Sequence, residues 1–285
     1  MAVTDRRIRR TGRFGFLAAL GLTLCLLSAC RAGTDVIVAG STSVQPYAEV
    51  LAEEYAILYP GNEIDVQGGG SAAGIMAAET GAANIGMSSR NLKDSEQGLW
   101  SVEIAKDGLA VIVHPDNPIG DLTFEQVRDI YSGKIVNWSD LGGDRAKIHI
   151  ITREEGSGTR DAFESLMMAK VLISPKAIVQ DSNGAVRQLV SSDPYAIGFI
   201  SMGLVDGPQF EEPVKAIWLE GVAPTRENVI DGSYSLYRPF LFVTSAPPDG
   251  PAKQFIDFVL SPEGQRILEH EGLISIISDP DAQVG

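Results

Sequence analysis

Short β-branched runs alternate along the chain with stretches in which apolar residues recur at three- and four-residue spacing. Residues 36–39 form an apolar strand pattern that runs into Gly40-Ser41-Thr42-Ser43. A helical pattern follows on Val44, Tyr47, Val50, Leu51, Tyr55 and Leu58 and stops at Pro60-Gly61. Residues 63–67 alternate as a strand, lead into Gly68-Gly69-Gly70-Ser71 and continue as an alanine-rich helix to about Thr80. Residues 82–92 predict a short strand ending in Ser88, Ser89 and Arg90. A third strand, loop and helix is predicted over 148–168, where Gly156-Ser157-Gly158-Thr159 separates a β-branched run from Phe163, Leu166 and Met167. Further on the pattern predicts a helix over 122–131 with Thr123 as its cap and strands at 195–202 and 214–220. An amphipathic helix is expected over 255–268, broken at Ser261-Pro262, and the apolar segment 273–276 closes the pattern. Trp138 is expected to be a packing anchor.

Two longer apolar runs, near 109–114 and 236–243, bracket the middle of the chain. If both are crossings, the protein is an α/β structure of two lobes. One lobe is discontinuous, from residues 30–110 and 234–285, and the other comprises 111–233. The hydroxyl loops then fall on both lobes, and a ligand held by all of them sits in the cleft between, where small-molecule sites commonly occur.

Each such loop stands at a predicted helix start, where unpaired N–H groups and the positive end of the helix dipole favour an anion. Serine and threonine hydroxyls add donors. Arg153, just before the GSGT loop, offers a planar fork suited to an oxyanion. The spacing Gly68-x-Gly70-x-x-Ala73 approaches a dinucleotide fingerprint, but "MSSRN" stands where the acidic residue would be expected.

Residues 1–29 carry five arginines and then an apolar run over 14–27, too short to span a bilayer, which takes about 20 residues. This is a secretory leader pattern, and Leu27-Ser28-Ala29-Cys30 resembles a bacterial lipobox. Cys30 is then lipidated as the first mature residue, which anchors the protein on the outer side of a bacterial membrane. Cys25 leaves with the leader, so no internal disulfide is expected. The chain carries a net charge of −14; without the leader it has 18 basic and 36 acidic residues, a net of −18. That excess argues against nucleic acid as a partner. It does not exclude an anion ligand, because donors at about 3 Å act well inside the roughly 8 Å screening length.

With "GSTS", "QGGGSAAG", "IGMSSR" and "REEGSGTRDAF" in this order, the chain resembles the phosphate-binding protein of the bacterial high-affinity phosphate ABC transporter. "LTFEQVRDIYSGKIVNWSDLGG" and "FIDFVLSPEGQRIL" extend the resemblance over nearly all of the mature chain. It implies a two-lobed periplasmic-binding-protein fold of type II and a monomer without cofactor or metal. It also implies a permease that receives the closed form, and no turnover. Thr42, Ser43, Ser71, Arg153, Ser157, Gly158 and Thr159 are the residues it implies for one phosphate. One form of the family has an aspartate where this chain has Ser89, followed here by Arg90; both are kept as phosphate-binding candidates. Asp107 is the candidate for the missing proton acceptor, with Glu154 and Glu155 as alternatives.

Two other readings remain open, beside a surface-anchored sensor or adhesin that uses the same fold without a transporter. One is a receptor for a different oxyanion, such as sulfate, molybdate or tungstate. The other is a phosphate-ester hydrolase, although His114, His149 and His270 lie away from any G-x-S-x-G elbow.

Overall fold

In the computed structural model, which describes residues 36–206 and 213–277, each hydroxyl loop emerges from the end of a strand. β1 (Val36–Gly40) leads to α1 (Gln45–Leu58), and β2 (Ile64–Gly68) leads to α2 (Ser71–Thr80) and then β3 (Ile85–Ser88). β4 (Trp100–Val113), β5 (Asp121–Leu122) and α3 (Phe124–Ser132) follow, then β6 (His149–Arg153) and α4 (Gly158–Leu166). Next come β7 (Ile178–Gln180), α5 (Asn183–Ser192), β8 (Ala196–Ser201), β9 (Lys215–Ala216), β10 (Trp218–Leu219) and α6 (Arg226–Ile230). The described chain closes with β11 (Tyr237–Thr244), α7 (Gly250–Val259) and α8 (Pro262–His270). The leader and Cys30 lie outside the described residues.

One sheet runs β2-β1-β3-β11-β4-β8-β6-β7, with β9 also on β4 and β10 paired separately with β5. β1 is parallel to β2 and β3, and β6 is parallel to β7 and β8, whereas β11 and β4 are antiparallel to their neighbours. β4 is the strand that joins the two halves. At roughly 3.3 Å per residue its 14 residues are long enough to serve both. Residues from Trp100 to Gly108 pair with β11, and those from Leu109 to Val113 pair with β8.

The end of β4 is buried on both faces, which is why its sequence is a continuous apolar run. Ala110 and Ile112 belong to a core with Val38, Leu51, Met87, Phe240 and Phe255, which also takes in Val186 and Val190 of α5. Leu109, Val111 and Val113 face a second core with Tyr131, Trp138, Phe163 and Phe199. The Phe163 and Phe199 rings stack at 4.0 Å between centroids. Trp138 is buried as expected, and its indole N–H donates to the Tyr195 carbonyl at 3.0 Å.

Three expectations need correction. The apolar run near 109–114 is only the second half of a strand that begins at Trp100, because the first half carries Glu103, Lys106 and Asp107 and shows no apolar run. The strand expected over 214–220 is two two-residue strands with different partners. The closing segment at 273–276 makes one bridge, between Lys106 and Ile274. The helix after the GSGT loop stops at Leu166, and Ala169 and Lys170 take left-handed backbone, which ends helices. The break at Ser261-Pro262 is real: Ser261 caps α8 through the Gly264 N–H.

Candidate functional site

The loop after β1 brings three hydroxyls to the start of α1, where the N-cap position is Val44 and no side chain caps the helix. α2 likewise starts without a side-chain cap, after Gly70 at φ +88°, a conformation that favours glycine. At α4 the Ser157 hydroxyl accepts from the Arg160 N–H. These three helix starts converge, and the Ala72 N–H donates to the Gly156 carbonyl at 3.0 Å, loop to loop.

Ser41, Ser43, Ser71, Ser89, Ser157 and Thr159 are all buried. Ser41 Oγ donates to Ser89 Oγ at 2.9 Å, Ser71 Oγ lies 3.3 Å from Ser89 Oγ, and the Ser89 N–H donates to Ser71 Oγ at 3.0 Å. Ser43 Oγ is 2.8 Å from Thr159 Oγ1, which ties the first loop to the third. The proton on that last contact can be assigned. Ser43 Oγ already accepts from Asn183 Nδ2 at 2.8 Å and Arg238 Nη2 at 3.0 Å, and a hydroxyl has two lone pairs. Ser43 therefore donates to Thr159, which leaves the Thr159 proton free to be given elsewhere. Gly158 allows this approach: a Cβ there would collide with Ser71 Oγ and come within 2.6 Å of Ser89 Oγ.

Arg153 sits at the end of β6 with its side chain 1% exposed. Its Nε and Nη2 face Glu154 at 2.9 and 3.0 Å, and Nη2 also donates to Thr42 Oγ1 at 3.2 Å. Its Nη1 is buried without a hydrogen-bond partner. Thr42, Ser43, Ser71, Ser89, Arg153, Gly158 and Thr159 are thus brought together, with Ser157 at the same helix start.

Arg90 and Asp107 are not in that group. Arg90 Nη1 and Nη2 hold Glu96 at 2.7 and 2.8 Å, and Nε lies 2.9 Å from Asp161 of α4. All three nitrogens face carboxylates, so the extra cation read from the sequence is committed elsewhere. Its guanidinium holds the Glu96 carboxyl below the ordinary value. Asp107 accepts from Ser201 Oγ at 2.7 Å on one oxygen and from Arg238 Nε and Nη2 at 3.1 and 3.0 Å on the other. It stands one side chain behind the hydroxyls. Burial pushes its carboxyl up and the Arg238 guanidinium down, and their contact opposes both shifts. Of the alternatives, Glu154 is the carboxylate on Arg153, and its Oε1 comes close to Gly70.

Asn183 and Arg238 are the buried residues at this cluster that the sequence reading missed. Asn183 follows the Ser182 cap of α5 and donates to Thr42 and Ser43, with its own carbonyl held by the Ser201 N–H. Arg238 lies in β11, beside Pro239, inside an apolar run. No motif marks either one. An open cavity of about 860 Å³ is lined by Arg90, Asp161, Glu164, Lys170, Tyr237 and Arg238, among others. It shares Arg238 with the cluster but none of the hydroxyls.

The PBP superfamily domain matches residues 28–263. The phosphate-binding protein PstS of Bacillus subtilis is 30% identical, over 86% of this chain and 82% of its own length. That of Pseudomonas aeruginosa is 33% identical over 83% and 81%. The phosphate-bound crystal structure described as a phosphate ABC transporter substrate-binding protein from Clostridium perfringens is 42% identical. It superposes with a TM-score of 0.81 over 86% of this chain and all of that one. An ABC-type phosphate transport receptor from Vibrio cholerae is 40% identical, with a TM-score of 0.68 over 84% and 99%. By these matches and by its fold, the chain belongs to the PBP superfamily and, within it, to the bacterial PstS-type phosphate-binding proteins, with their two-lobed periplasmic binding fold.

Proposed function

We propose that the protein captures inorganic phosphate between its lobes and hands it to the permease of an ABC transporter. The observation that carries this reading is the meeting of Ser43, Ser71, Ser89 and Thr159, from loops far apart in the chain, beside a buried Arg153 with an unused Nη1. Three helix starts, the Thr159 hydroxyl and Arg153 supply donors to a tetrahedral oxyanion, each charge-assisted bond contributing about 1.5–3 kcal/mol. That its relatives are named as phosphate-binding proteins supports a site that binds and releases its ligand. We place the lobes at 30–110 with 234–285 and at 111–233, hinged where β4 and β11 pass between the two cores. We place the mature protein outside the cytoplasm as a monomer anchored by lipid on Cys30.

Calorimetric titration of phosphate into purified protein stripped of ligand tests the reading. Saturable 1:1 binding is expected, and no heat of binding would sink it. A receptor for another oxyanion is favoured by one observation: the position of the family aspartate is a serine whose hydroxyl is engaged by Ser41 and Ser71. Sulfate, titrated in the same way, separates the two. Equal affinity for both anions would favour the broader receptor.

A further inference from the structure

We propose that Arg238 is a second anion-binding arginine, which presents its Nη1–Nη2 end to the phosphate that Arg153 holds; the inference rests on the phosphate reading above. Its side chain is 2% exposed, and that of its partner Asp107 is fully buried. The direction of the fork follows from its contacts. Nε and one proton of Nη2 are taken by a single oxygen of Asp107, so that edge is fixed. The other proton of Nη2 goes to Ser43 Oγ, off the far end of the group. In a planar guanidinium the outer Nη1 proton runs parallel to that bond. Arg238 therefore aims a free N–H along the side of Ser43, and Nη1 is buried without a hydrogen-bond partner.

Arg153 is arranged in the same way. Its Nε and Nη2 are held by Glu154 and by the Gln180 and Asp181 carbonyls, its Nη2 also reaches Thr42, and its Nη1 is likewise buried and unpartnered. Two guanidinium ends thus address consecutive residues of one loop, each steadied from behind by its own carboxylate. They are close enough for the field of Arg153 to disfavour the charge on Arg238. Leaving a charged donor unpaired in a buried site costs more than an ordinary lost hydrogen bond. An oxyanion at the three helix starts satisfies both ends at once. Asp107 then acts on the ligand through Arg238: it holds the fork in place and receives no proton from phosphate.

The test compares phosphate titrations of the wild type with those of a double variant, Arg238→Gln with Asp107→Asn, which removes both buried charges and leaves neither partner stranded. At least tenfold weaker phosphate binding by a variant with wild-type thermal stability supports the assignment. Wild-type affinity in that variant overturns it. A second measurement does not depend on the variant folding: nitrogen NMR of the arginine side chains in the wild-type protein. The Arg238 Nη signals are expected to shift and sharpen on addition of inorganic phosphate, as those of Arg153 do. If Arg153 responds and Arg238 does not, Arg238 is a structural brace only. If the wild type binds no phosphate, the functional reading itself falls.

Discussion

Arg153 ends β6 and Arg90 stands two residues past the end of β3, each next to a serine-bearing loop, and from the sequence alone they look like equivalent cations. Their surroundings make them opposites. Arg153 has one carboxylate, Glu154, and the Gln180 and Asp181 carbonyls at its Nε and Nη2, while Nη2 also reaches Thr42 and Nη1 is unspent. Arg90 has Glu96 across its end, Asp161 at its Nε and Lys93 alongside, itself 3.0 Å from Asp161. An arginine with a free edge can hold a ligand. One whose edges all meet carboxylates ties chain segments together, here the end of β3 to α4. A motif shows which loops meet; the proposal is that the count of unspent donors selects which of their cations can serve an anion.

The contrast can be broken from the glycine side first. Gly158→Ala pushes a methyl group into Ser71 and Ser89 and so holds the loops apart. Overpacking of this kind costs about 1–3 kcal/mol, which calorimetry would read as roughly ten- to hundredfold weaker phosphate binding. Wild-type affinity in this variant would mean that the loops need not meet to bind.

Asn183→Ala removes two donors that hold Thr42 and Ser43, at about 1 kcal/mol each or less. A three- to tenfold loss of affinity is expected, with the unfolding transition only slightly lowered. An unchanged dissociation constant would show that α5 plays no part in ordering the first loop.

The smallest effect on binding belongs to the Arg90 cluster, whose signature is stability against pH. Arg90 lowers the Glu96 carboxyl below its ordinary 4.5, so ionised Glu96 stabilises the fold at pH values above that. This contribution fades as the pH falls through the lower, folded-state value. Glu96→Gln is expected to cost about 1–3 kcal/mol at pH 7 by denaturant unfolding, because Arg90 is buried, and to move phosphate affinity by less than about threefold. The gap between variant and wild type should shrink as the pH is taken progressively below 4.5. A gap that stays constant with pH would contradict the assignment.

How much of this was legible follows from what each residue does locally. The strand, loop and helix units could be read because apolar spacing and glycine–serine loops are signals confined to a dozen residues. Thr123 was readable as a cap and Ser261-Pro262 as a break for the same reason, and both Thr123 and Ser261 accept from the N–H three residues on. Arg238 was not readable. It lies in a β-strand whose apolar neighbours advertise only burial, and its meaning comes from Asp107 and Ser43, residues more than a hundred positions away. Asn183 is a helix-start residue like many others until its side chain is seen to reach Thr42. Asp107 was found for its carboxylate, but only the structure shows Arg238 standing between it and the hydroxyls. Arg90 was misread because Glu96, which claims it, looks like an ordinary residue of a charged turn.

The most direct test places the two arginines side by side: phosphate titrations of Arg153→Ala and Arg90→Ala under one set of conditions, each against the wild type. The account predicts at least tenfold weaker binding for Arg153→Ala, since a buried oxyanion loses a charged donor, and binding within about threefold of wild type for Arg90→Ala. The reverse order, or equal losses, would mean that the free edge of Arg153 does not mark the phosphate site.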